Sequence, residues 1–148
     1  MLVGVNINRR FFTLEEKTMK TNGKLAWHVH HNSLFEILTE QIETRIAYIK
    51  KNKPKREIAL RLRLLKLVKG KLTKPVMVAA ANMSKARTSL DKRLGDKDKQ
   101  WKNWAKAAAK WHKALVVHWP AIERLHAKEC PNCPFDGKTI FPNKEKLT

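Results

Sequence analysis

The fold turns on residues 84–118, SKARTSLDKRLGDKDKQWKNWAKAAAKWHKALVVH, which divide into five blocks of seven. Lysine stands second in every block, at Lys85, Lys92, Lys99, Lys106 and Lys113. From Trp101 onward another spacing lies over the first. Trp101, Trp104, Ala108, Trp111, Leu115, His118, Ile122 and Leu125 recur alternately three and four residues apart. That is the a/d spacing of a helix packing along one seam, with the lysines at f, the position furthest from it. One face is expected to be buried and the opposite face to carry positive charge.

Within this stretch Gly95-Asp96 reads as a stop followed by a new cap, with Asp98 a further candidate cap, and Lys97 falls on a d position that should be apolar. A helix over 75–94 and another over 98–127, folded back as a hairpin, are therefore expected; one unbroken helix is the rival reading. Pro120 should kink the second of them. Upstream, Pro54 at a first helical position and Gly70 as a cap predict a helix over 54–69. Ser33-Leu34-Phe35-Glu36 has the capping-box pattern, and Leu34, Ile37, Leu38, Ile42, Ile46 and Ile49 follow at helical spacing, predicting a helix over 33–51. The alternation in LAWHVHH predicts a strand over 25–31, and Asp136-Gly137 predicts a turn before a short strand over 138–141. Leu2, Val3, Val5 and Ile7 alternate weakly. The expected fold is mainly α, a helical bundle or long α-hairpin with heptad packing and a minor β element. Residues 1–24 read as an N-terminal extension, 25–128 as the helical domain and 129–148 as a Cys/Pro-rich tail.

The chain has 148 residues, 43% of them hydrophobic, enough for a real core. Its formal net charge is +19, an excess that calls for an anionic partner. Nucleic acid leads among such partners and an anionic membrane surface follows. No apolar run approaches the ~20 residues needed to cross a bilayer, and residues 1–12 lack the apolar core of a signal peptide. The reading is an intracellular, cytoplasmic protein, so its two cysteines are expected to be reduced or metal-bound rather than disulfide-bonded.

Residues 50–74 carry eleven cations against Glu57 alone. Lys53, Lys55, Arg56, Arg61, Arg63, Lys66, Lys69 and Lys71 are candidate phosphate contacts there. The five lysines of the heptads extend them as a ladder with steps of roughly 10.5 Å. Solvation alone would also account for charges at f positions. Core packing is expected of Trp101, Trp104 and Trp111. Cys130-Pro131-Asn132-Cys133 is half of a zinc-ribbon spacing, and His126 lies four residues before it. His28 and His30 would face one side of the expected strand and could complete a zinc site with the CxxC pair; free or redox-active thiols are the other reading. Glu36, Glu40 and Glu43 would share a helix face, where charge complementation is favoured over acid–base catalysis. A phosphate-binding glycine loop, an HExxH and a nucleophile elbow are all missing, and no enzymatic activity is expected.

LTEQIETRIAYIKKNKP, the following RLRLLKLVKGKL and the heptads resemble uncharacterised small proteins of phage and environmental bacteria, over about residues 25–115. In those proteins the heptad section looks like a repeat of variable length; here the blocks have diverged and Gly95 interrupts them. The resemblance implies a small phage- or bacterium-type protein with a heptad helix and brings no activity with it. The functional expectation is a non-enzymatic protein binding DNA or RNA through phosphates, independently of sequence. A coiled-coil interaction or assembly protein, dimeric through its seam and zinc-stabilised, is the alternative.

Overall fold

The computed structural model describes residues 21–92 and 95–143. The alternation at Leu2–Ile7 lies outside them. Among the described residues the chain is mainly α with a minor β element: β1 (Leu25–Trp27), β2 (Phe35–Ile37), α1 (Ile42–Asn52), α2 (Lys55–Leu64), β3 (Lys66–Leu67), α3 (Lys74–Asp91) and α4 (Lys97–Glu129). The described residues divide into two units, 21–66 with 135–143, and 67–92 with 95–134. No helix among the described residues is long and apolar enough to cross a membrane.

The first unit is built on a short sheet of order β2-β1-β3. β1 and β2 are antiparallel, with Leu25 opposite Ile37, Ala26 opposite Glu36 and Trp27 opposite Phe35. The two aromatic rings meet at 5.6 Å, and Trp27 is wholly buried. This pairing overrides the capping box at Ser33. Residues 33–41 do not begin a helix, because cross-strand burial of Phe35 against Trp27 outweighs a local cap of about 1 kcal/mol. Glu36 consequently lies in β2, not on a helix with Glu40 and Glu43. α1 starts nine residues later and takes its cap from outside. The Ile42 N–H donates to Thr21 Oγ1, and the Thr21 hydroxyl and N–H donate to Gln41 Oε1.

α2 ends at Leu64, not at residue 69. Leu65 is extended, with ψ 106°, and the chain enters β3. Leu64 and Leu65 are both buried. Consecutive residues on a helix point about 100° apart, and the change to extended backbone lets both reach the core. The expected strand over 138–141 is instead a turn and an irregular run. Asp136 Oδ1 accepts from the N–H groups of Lys138 and Thr139, and the Ile140 N–H donates to the His31 carbonyl. Ile140 and Phe141 are buried, so this segment is packed, not a loose tail.

The second unit is the α3–α4 hairpin. Gly95, with φ +79°, supplies the left-handed turn, and Asp96 caps α4 by accepting from the Asp98 N–H at 3.0 Å. Asp98 is therefore the residue capped, not the cap. α4 has 33 residues, roughly 50 Å of helix, and runs on through Pro120. α3 and α4 pack against each other along their length. The contact uses small residues, with Ala79, Ala80 and Ala107 buried beside Val76 and Ile122. Gln100 and Ala107 take the places that strict heptads assign to Trp101 and Ala108. A straight helix drifts by about 20° per heptad against a 3.5-residue repeat, so the buried stripe moves off the a/d row. Trp104 and Trp111 remain half-buried, but Trp101 is 53% exposed.

Candidate metal centre and nucleic-acid interface

The end of α4 brings three metal-ligating side chains together. His126 lies one turn before Cys130, so both project from the same side of the helix terminus. The Cys130 N–H closes the last turn on the His126 carbonyl at 2.8 Å. Pro131 follows, and Asn132 adopts φ +60°, a left-handed turn that asparagine tolerates better than most residues. That turn returns Cys133 toward Cys130. The ligand atoms of His126, Cys130 and Cys133 lie within 4.8 Å of one another. Cys130 is buried and Cys133 half-buried. These three side chains of the second unit could hold a metal ion.

Glu129 fixes this end of α4 within the second unit. Its carboxylate accepts from the backbone N–H groups of Lys69 and Gly70. Gly70 is thus not a helix cap but a point of close approach. A Cβ there would lie 2.5 Å from Leu125 Cδ1 and 2.8 Å from Glu129 Oε2.

The two candidate histidines of the first unit part company. β1 ends at Trp27, and His28 has φ +50°, so the alternation that would align His28 with His30 stops at once. His28 is buried, and its Nδ1 lies 3.1 Å from the Ser33 carbonyl oxygen. A carbonyl only accepts, so Nδ1 carries the proton in this contact. The ring also packs on Phe135, centroids 5.1 Å apart, and Phe135 is two residues past Cys133. His30 is instead exposed, with Nδ1 2.6 Å from Glu36 Oε2, and does not belong to the ligand group.

The cationic candidates are also sorted. Arg61 is buried, paired with Glu57 at 2.8 Å and stacked over the Phe141 ring at 5.2 Å. Those contacts remove it from the phosphate-binding set. Lys53 is half-buried beside the Tyr48 ring, and Lys66 is half-buried in β3. Lys55, Arg56 and Arg63 are exposed on α2, and Lys69 and Lys71 are exposed in the second unit. All five heptad lysines are exposed. They do not form one ladder, because the turn at Gly95 reverses the chain. Lys85 and Lys92 belong to α3 and its C-cap, and Lys99, Lys106 and Lys113 belong to α4. The α4 row precedes Gln100, Ala107 and Ala114 by one residue, about 100° round the helix, so it flanks the buried stripe instead of opposing it.

Compared with protein-family models, with curated proteins and with solved structures, the chain matches none.

Proposed function

We propose that this is a small, non-enzymatic nucleic-acid-binding protein that contacts phosphates through the α3–α4 hairpin and is stabilised by zinc at the end of α4. The observation that carries the first part is the exposure of Lys85, Lys92, Lys99, Lys106 and Lys113 on two helices packed against each other. A packed hairpin with cations flanking its buried stripe presents its charges at fixed spacing to a polyanion, and each neutralised phosphate releases counterions. Sequence-independent phosphate contact is the chemistry that lysine rows supply. Titration of labelled DNA and RNA at about 50 and 200 mM salt tests this: binding should weaken at least tenfold across that range. Affinity that is absent, or indifferent to salt, overturns it.

Zinc is the metal whose chemistry matches two thiolates and an imidazole. His126, Cys130 and Cys133 supply three ligands. Tetrahedral ligands at about 2.0–2.3 Å from zinc stand roughly 3.5 Å apart, so thiols and imidazole already within 4.8 Å need only small side-chain shifts. Metal analysis of protein purified without chelator should give one zinc per chain; fully folded, zinc-free protein excludes the site.

A second reading is carried by Val116 and Val117, 65% and 61% exposed on α4, with Met77 and Val78 also exposed on α3. Such an apolar strip suits an interaction or assembly protein. Light scattering separates the two: a salt-insensitive oligomer without nucleic-acid affinity favours assembly.

A further inference from the structure

Trp101 is the anomaly of the hairpin. Its spacing belongs to the seam, yet it is 53% exposed, the most exposed of the large aromatic side chains among the described residues. It is not loose. Trp104, half-buried one turn later, meets it in a T-shaped contact, ring centroids 5.7 Å apart and planes at 82°. The two indoles, with Arg87, Leu90 and Asp91 of α3, line a cleft near the Gly95 turn. Arg87 Nε is held to the Asp91 carboxylate at 3.2 Å, which sets a guanidinium beside the exposed ring. Exposed lysines stand close by along α4, at Lys97, Lys99 and Lys102.

This rests on the nucleic-acid reading above and deepens it: we infer that the cleft of Trp101, Trp104, Arg87, Leu90 and Asp91 seats an unpaired nucleobase, so that the preferred nucleic acid is single-stranded. A duplex keeps its bases stacked on one another and offers the hairpin only phosphates. A single strand can lay one base on the Trp101 ring while its flanking phosphates meet the lysines, and every base has a π-face for that purpose. Trp104 holds the ring in place before the base arrives, which lowers the ordering cost of binding. The Asp91 carboxylate accepts from an N–H at the edge of a seated base, such as N3–H of thymine, and Arg87 lends a cation to the stack.

The experiment compares a labelled oligothymidine with a duplex of equal length, bound to the full chain and to Trp101→Ala and Trp101→Phe. The native chain should bind the single strand more tightly. Trp101→Ala should weaken single-strand binding about tenfold while leaving duplex binding unchanged, and Trp101→Phe should recover most of the loss. Trp101 is half in solvent, so both variants should keep the native thermal transition. Equal affinity for the two probes, or a Trp101→Ala effect that is the same on both, overturns the base seat while the phosphate reading stands. A native dimer that Trp101→Ala dissociates also overturns it, because the ring is then covered by a second copy. Failure of both probes to bind at low salt removes the phosphate reading and this inference together.

Discussion

The Arg61 guanidinium lies 2.8 Å from the Glu57 carboxylate one turn earlier on α2, with the two side chains only 9% and 4% exposed. A charge this deep needs its partner. Arg61→Met takes the cation from the buried Glu57 carboxylate and should cost about 3–5 kcal/mol. Replacing both, with Glu57→Leu added, should cost much less than the two single changes summed. Chemical denaturation of the four proteins of this cycle measures the coupling. Nucleic-acid affinity of folded Arg61→Met should match the native chain.

The metal centre separates two residues by their effects. Cys133→Ser should abolish stoichiometric zinc and lower the thermal midpoint. His30→Ala should change neither. Thiolate and imidazole ligands must be deprotonated to bind, so zinc affinity should fall as pH falls, read by competition with a chromogenic chelator.

Glu129→Ala removes the acceptor of two backbone N–H groups, at Lys69 and Gly70. The expected loss is about 1–3 kcal/mol, with amide exchange faster at both positions. Fraying should reach His126 and Cys130, one turn and one residue away, and weaken zinc binding as a secondary effect.

Lys99, Lys106 and Lys113 all changed to Gln should reduce the slope of log affinity against log salt by about 2–3 if each meets one phosphate. Fold stability should hardly move, since all three are exposed. An unchanged slope in salt titrations places the phosphate contacts elsewhere on the chain.

Asp136 adds a pH response to the turn before Ile140. The N–H groups of Thr139 and then Lys138 hold its carboxyl below the ordinary value. With the folded pKa depressed, its contribution is fully present above the unfolded carboxylate range. It is lost as pH falls through the lowered folded value. NMR titration should show the Lys138 and Thr139 amides following the Asp136 carboxyl, and Asp136→Ala should flatten both curves.

The hairpin was legible because its signals are local and agree. Apolar spacing, Pro75, and Gly95-Asp96 place α3 and α4 within three residues of Lys74–Asp91 and Lys97–Glu129. His126, Cys130 and Cys133 were legible for the same reason, since one helical turn and a tight turn join them. What failed depends on partners distant in sequence. Ser33 looks like a cap until Phe35 pairs with Trp27, and the cap of α1 comes from Thr21, twenty residues before Gln41. His28 and His30 are indistinguishable by alternation, which assumes a straight strand; the positive φ of His28 ends that premise. Trp101 fits the heptad by number, and only the drift of a straight helix moves it into solvent.

Ile140 and Phe141 are buried in the same unit as Leu25 and Trp27, although the whole hairpin lies between them in the chain. On the ribosome this reverses the usual order of completion, in which N-terminal parts finish first. The hairpin needs only neighbouring turns and can close as soon as it clears the exit tunnel. The sheet made before it must wait for its last packed segment until Ile140 and Phe141 have been translated.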